Sequence, residues 1–283
     1  VSDYGRCICS RNTLGDFTGG FFQANGEANF SYGATASSLR IKRLAGAKSN
    51  RALLDYHRCV GASRFSNIET EIEMINVMTE SNLVKRNIVI FGMGATGISV
   101  ARYLSDIGAD FSFADSRRAP ANLSKVKGLY PSTNITVGEF TDEILLDIDL
   151  IVVSPGISLS EPVLQTAHEK GIEIIGDLAL FLTAASAPVV AITGSNGKST
   201  VTTLLGEMAK ASGLKTGVGG NLGVPMLDLL DSDCQLYILE LSSFQLELMS
   251  DSLGAVVCLL NISPDHMDRY QSLESYSAAK QNI

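Results

Sequence analysis

The sequence predicts an α/β chain: an N-terminal Rossmann-like parallel-sheet domain followed by a P-loop α/β domain. Three observations predict it. Seven short apolar runs recur from residue 88 onward, each bounded by turn residues, and such runs alternating with helical stretches are the pattern of a parallel sheet. The first run leads into Gly92-Met-Gly-Ala-Thr-Gly97, and the fifth into Thr193-Gly-Ser-Asn-Gly-Lys-Ser-Thr200. Both place glycines at a strand-to-helix junction, where free backbone N–H groups can meet an anion.

Residues 1–77 stand apart from this pattern. GGFFQANGEANFSYGATASSLRIKRLAGAKSN holds no sustained period of 2 or 3.6 and is rich in Gly, Ser, Asn and Ala. The segment carries nine Lys and Arg against seven Asp and Glu, whereas the rest of the chain is strongly acidic. The expectation is a poorly ordered extension with one short helix around residues 68–77. Met78, just before the first periodic stretch, is the expected natural start.

Residues 78–176 form the first expected domain. Apolar runs at Ile88–Phe91, Phe111–Ala114, Leu150–Val153 and Ile172–Ile175 read as its strands. In the G-x-G-x-x-G turn, Gly92 allows the tight bend and Gly94 admits a close phosphate. Asp115, 18 residues beyond Gly97, ends the next run, where an acid can meet a ribose hydroxyl. NAD(P) oxidoreductases, flavin enzymes and nucleotide-sugar binders share this geometry, so the residues leave the ligand open.

Residues 177–283 form the second domain, with runs at Val189–Ile192, Leu236–Leu239 and Ala255–Leu260. The loop Gly194, Ser195, Asn196, Gly197, Lys198, Ser199, Thr200 lacks the first glycine of G-x-x-x-x-G-K-[ST], since Ile192 stands there. Its chemistry survives that loss: Gly194 and Gly197 let N–H groups converge on phosphate, Lys198 is a cation, and the Ser199 hydroxyl can ligate Mg2+. Val201, Leu204, Leu205 and Met208 fall at i, i+3, i+4 and i+7, which predicts a helix stopped at Gly213. Glu240 ends the Leu236 run, where parallel-sheet nucleotide enzymes hold Mg2+. Asp265, His266, Asp268 and Arg269 crowd the loop after the last run, and Lys280 follows as an expected exposed helical lysine.

Composition narrows the partners. The net charge of −8 argues against nucleic-acid and anionic-membrane surfaces. No apolar run approaches the roughly 18–20 residues of a bilayer span. The N-terminus lacks a basic-then-apolar leader. Cys7, Cys9, Cys59, Cys234 and Cys258 show no C-x-x-C or metal-ligand spacing. The expectation is a cytoplasmic monomer acting on small molecules.

The ordered set GMGATG, VVSPGI, TGSNGKST, GGNLG, LELSSFQL and DHMDRY, with AAK after it, resembles the Mur ligases, in particular their D-glutamate-adding type. The resemblance runs from about Val84 to Ile283, and the family's ATP loop also lacks a glycine at the place of Ile192. It implies ATP-dependent, Mg2+-assisted joining of D-glutamate to UDP-N-acetylmuramoyl-L-alanine through an acyl phosphate, in cytoplasmic peptidoglycan synthesis. It also implies that Ala95, Thr96, Asp115, Ser116, Arg117, Ser154, Pro155, Gly156 and Asn221 hold the nucleotide-sugar. Ser199, Glu240 and His266 become Mg2+ positions, and Lys280 the lysine that the family carbamylates. Lys198, Glu240, His266 and Lys280 are then the catalytic set. A family member continues well beyond the position of Ile283, through more of the ATPase domain and a C-terminal amino-acid-binding domain, so the resemblance implies an incomplete P-loop ATPase α/β domain here. The expectation is therefore that this polypeptide alone does not complete ligation, the alternatives being nucleotide-sugar binding without turnover or a NAD(P)-dependent oxidoreductase.

Overall fold

The computed structural model describes residues 79–249 and 256–283. The expected extension, its short helix and the start at Met78 lie outside the described residues. All seven predicted runs fall on strands, and two further strands accompany them.

The first sheet is built from β1 (Ile88–Phe91), β2 (Phe111–Asp115), β3 (Ile135–Val137), β4 (Leu150–Val153) and β5 (Glu173–Gly176). They run in the order β3-β2-β1-β4-β5, and every pairing is parallel. β1 and β4 are buried along their whole length, which is why they read as unbroken apolar runs. α1 (Glu80–Leu83) precedes the sheet, and α2 (Ala95–Asp106), α3 (Leu123–Leu129) and α4 (Pro162–Glu169) fill the crossovers. The strand order reverses between β1 and β4, and the crevice beyond the carboxyl ends at such a point is the ligand position of open α/β sheets.

α5 (Asp177–Ala184) follows β5 directly, and its sequence DLALFLTA is apolar nearly all round. A helix of that kind must be covered on most sides. Leu178, Leu180 and Phe181 enter one core that also takes in residues of both sheets, and Phe181 meets Tyr237 edge-on at 5.0 Å between ring centroids.

The second sheet contains β6 (Val189–Thr193), β7 (Thr216–Gly220), β8 (Leu236–Glu240) and β9 (Val256–Leu259), ordered β7-β8-β6-β9 and again all parallel. α6 (Lys198–Ala211) connects β6 to β7, the short α7 (Ser243–Leu246) follows β8, and α8 (Leu273–Gln281) closes the described chain.

The two strands without a sequence signal have physical explanations. β3 is a three-residue, mostly exposed edge strand, too short for alternation. β7 reads TGVGG because its neighbours press on it. A Cβ on Gly217 would lie 2.7 Å from the Tyr237 ring, and one on Gly219 only 2.3 Å from the Val224 carbonyl oxygen. Side chains that would have marked the strand have no room.

The α6 periodicity locates the helix but misjudges its inner face. Thr202, Gly206 and Ala209 are buried, whereas Leu204 and Met208 are each 59% exposed. The helix approaches β7 so closely that a Cβ on Gly206 would come within 2.9 Å of Val218, so small residues make the contact and the larger apolar ones turn outward.

Candidate functional site

Two loop clusters carry the predicted site residues, one at the carboxyl ends of each sheet. In the first, Gly92 adopts φ +100°, and a Cβ there would strike the Ser154 side chain at 2.9–3.0 Å. A Cβ on Gly97 would sit 1.9 Å from the Gly92 carbonyl oxygen, so that glycine lets α2 begin hard against β1. Around Gly94 the same construction meets nothing within 4 Å. The middle glycine thus faces open space at the N-terminus of α2, a cradle suited to a phosphate group.

Ala95 and Thr96 open α2, while Ser154, Pro155 and Gly156 form the turn after β4, across the strand-order reversal. The Ser154 hydroxyl is buried without a hydrogen-bond partner. Asp115 is 2% exposed and already engaged: Oδ2 accepts from the Met93 amide at 2.8 Å, and Arg117 donates to both carboxylate oxygens at 2.6–2.8 Å. Burial by itself would raise its pKa, but the Arg117 and amide donors outweigh burial and hold it below the ordinary aspartate value. Asp115 therefore shapes the glycine turn and orients Arg117, a task the spacing to Gly97 did not reveal. Ser116 and Arg117 lie exposed beside it.

The second cluster surrounds the 194–200 loop. Gly194 adopts φ +150°, with the position of a Cβ 3.0 Å from Leu260, and Gly197 caps α6 in the left-handed region at φ +81°. The segment after β9 clamps this loop. Asn261 accepts from the Asn196 amide at 2.9 Å and donates to the Asn196 carbonyl at 2.9 Å. The Ser195 hydroxyl donates to the Ser263 carbonyl at 2.9 Å and lies 3.0 Å from the Tyr276 hydroxyl. Lys198 Nζ donates to the carbonyls of Gly194 and Ser195 at 2.8 and 3.1 Å, folded over the loop it belongs to. Ser199 and Thr200 are exposed on the first turn of α6.

Glu240, at the end of β8, is 3% exposed. Its Oε1 accepts from the Asn221 side-chain Nδ2 at 2.9 Å, and its Oε2 is buried with no partner. Asn221 is thus brought to Glu240, at the end of β7. An orphaned buried carboxylate oxygen is costly unless something fills its coordination, and a hard cation does so. Among the described residues no three His, Cys, Asp or Glu side chains converge in a metal-binding group. A cation there would take its other ligands from phosphate, water and hydroxyl oxygens, the set Mg2+ prefers.

Lys280 corrects the expectation of an exposed lysine. It is 1% exposed, with Nζ 3.4 Å from Thr193 Oγ1 and 4.8 Å from the centre of the Tyr276 ring. Burial first, and then the Lys198 charge, push its pKa down to about 8, against the smaller opposing pull of Asp265 and Glu240. Helix position alone could not show this, because Thr193, which lies beside the amine, comes from β6, 87 residues earlier in the chain. His266 is exposed at φ +54° and packs on Phe244 with ring centroids 4.8 Å apart. Sequence reasoning missed Asn261, Ser263 and Tyr276. Tyr276 had one available signal, the i, i+4 spacing to Lys280 on one helix face.

Comparison with known proteins bears on the same residues. Residues 86–176 match the family described as Mur ligase MurD-like, N-terminal domain, and residues 192–283 match the Mur ligase middle domain. The chain is 50% identical over 198 residues to the UDP-N-acetylmuramoylalanine--D-glutamate ligase of Haemophilus influenzae (strain PittGG), covering 70% of this chain and 45% of that protein. It is 52% identical over 202 residues to the Saccharophagus degradans protein of the same name, covering 69% and 44%. A solved structure of UDP-N-acetylmuramate:L-alanyl-gamma-D-glutamyl-meso-diaminopimelate ligase from Neisseria meningitides aligns with TM-score 0.45 and 18% identity over 70% of this chain and 67% of that one. The chain spans a little under half the length of the curated relatives it matches.

Proposed function

The chain belongs to the Mur ligase family, with a MurD-like N-terminal domain and a Mur ligase middle domain, and on that premise we propose that it is the nucleotide-sugar- and ATP-binding part of a D-glutamate-adding ligase. The proposed reaction phosphorylates the carboxylate of UDP-N-acetylmuramoyl-L-alanine with ATP. The D-glutamate amine then attacks the acyl phosphate, and ADP and phosphate leave. A carboxylate is a poor electrophile, so the phosphoryl group supplies the leaving group, and catalysis is mainly positioning and charge neutralisation.

One observation carries the reading. The unpartnered Glu240 oxygen and the buried Lys280 amine lie around the 194–200 loop, a carboxylate and a switchable amine beside a phosphate cradle. Glu240 Oε2 and the Ser199 hydroxyl would hold Mg2+, with His266 a further position. The ion supplies neutralisation of phosphate charge when bound. Lys198 swings from its two loop carbonyls to the phosphates. Lys280, with its amine pKa lowered, is neutral often enough to take up CO2 and become an anionic oxygen donor. Gly94, Ala95 and Thr96 receive the nucleotide-sugar diphosphate, with Asp115, Ser116, Arg117, Ser154, Pro155, Gly156 and Asn221 around it. In this reading the nucleotide-sugar domain comprises residues 78–176 and the ATP domain residues 177–283.

Isothermal titration tests the reading. The purified chain is expected to bind UDP-N-acetylmuramoyl-L-alanine and to ignore NAD and NADP. It is also expected to bind Mg-ATP in a manner that Glu240→Gln makes independent of Mg2+. Binding of NAD in preference to the nucleotide-sugar would overturn the assignment.

A further inference from the structure

Arg269 belongs to the loop after β9 but spends its side chain on the other sheet. Its guanidinium donates to the Pro155 carbonyl at 2.8 Å and the Ile157 carbonyl at 3.1 Å, both in the turn after β4. It also donates to Glu247 Oε2 at 3.0 Å and lies 3.9 Å over the Phe244 ring. Both partners in this ion pair are largely buried, with side chains 16% exposed. The backbone around Arg269 is equally constrained, because the amides of Arg269 and Tyr270 both donate to the His266 carbonyl, at 2.9 and 3.0 Å. Phe244 then completes a contact path, with His266 against its ring on one contact and Arg269 on another. A planar fork holding two carbonyls at fixed separation is a task for Arg and not for Lys.

We propose that Arg269 is a positioning residue that couples the turn at residues 154–157 to the loop carrying His266, so that a ligand seated on the turn orders that loop. The inference rests on the reading of that turn as a nucleotide-sugar contact. Moving Pro155 or Ile157 shifts the acceptors of the guanidinium, and the guanidinium is tied through three residues of backbone to His266. Coupling of this kind is reciprocal: the order that the ligand imposes on the loop is returned as affinity for the ligand.

Hydrogen–deuterium exchange and titration with UDP-N-acetylmuramoyl-L-alanine test it on the whole chain. In the parent chain, saturating ligand is expected to slow exchange across residues 262–270. Arg269→Ala is expected to weaken the nucleotide-sugar about tenfold, within the usual range of coupling energies, and to remove that protection even at saturation. Arg269→Lys keeps the charge opposite Glu247 without the fork and is expected to recover folding stability but not the protection. Protection of residues 262–270 that persists in ligand-saturated Arg269→Ala overturns the proposal, as does a parent chain that binds ligand and leaves the segment unprotected. A parent chain that binds no nucleotide-sugar removes the functional reading itself, and the coupling falls with it.

Discussion

Asp177→Asn is expected to stabilise the protein at neutral pH and to lose most of that advantage in acid. Asp177 begins α5 between the two sheets and is 3% exposed. Its Oδ1 has no partner, and its Oδ2 receives one long hydrogen bond of 3.4 Å from Gln245. Burial raises its pKa from 3.8 to about 6, and the Gln245 donor offsets burial only in part. An acid whose folded pKa lies above its unfolded one favours folding while protonated and loses that contribution as pH rises toward 6. The shift corresponds to about 3 kcal/mol of penalty fully present above pH 6, of which roughly 2 kcal/mol accrues between pH 4 and 7.5. Asparagine keeps an oxygen for Gln245 and cannot ionise. Any cost of its amide against the unpartnered side is the same at every pH. Urea denaturation of parent and variant at pH 4, 5, 6 and 7.5 reads the difference directly. The variant is expected to gain on the parent by about 2 kcal/mol across that range, a melting shift on the order of 4–8 °C. A stability difference that stays flat from pH 4 to 7.5 would refute the reasoning.

The glycine turn separates two roles by substitution. Gly97→Ala places a methyl group 1.9 Å from the Gly92 carbonyl oxygen and is expected to cost more than about 3 kcal/mol in urea denaturation. Gly94→Ala meets nothing within 4 Å and is expected to melt like the parent while binding UDP-N-acetylmuramoyl-L-alanine more weakly; equal loss of stability in both would contradict the geometry. The Lys280 amine, followed by NMR of 13C-labelled lysine, is expected to titrate near 8. Lys198→Met should move that midpoint upward by removing a neighbouring cation, and a midpoint unchanged from an exposed lysine would show the amine to be hydrated.

Most of the fold was legible because parallel strands buried on both faces must be apolar throughout. Ile88–Phe91 and Leu150–Val153 announce themselves for that reason. The glycine junctions were equally plain, since Gly92 at φ +100° and Gly197 at φ +81° occupy backbone conformations that other residues enter at a cost. β7 was illegible because close packing had replaced its side chains with glycine. The outward turn of Leu204 and Met208 on α6 has the same origin in Gly206, a contact no periodicity count contains.

The sequence by itself determined the local chemistry: which loops can cradle phosphate, which strand ends in an acid, and which motifs stand in Mur ligase order. Those depend on residue type and short spacing, which the chain carries explicitly. Only the tertiary structure decided which groups are hidden from water and what they face. Asp115 turned out to serve Arg117 and the Met93 amide, Glu240 kept one oxygen without a partner, and Lys280 went from a helix surface to the interior. Arg117 is two residues from Asp115, but burial and the contacts of Met93 with Asp115, Asn221 with Glu240 and Thr193 with Lys280 join atoms 22, 19 and 87 residues apart, so no short window of sequence contains them.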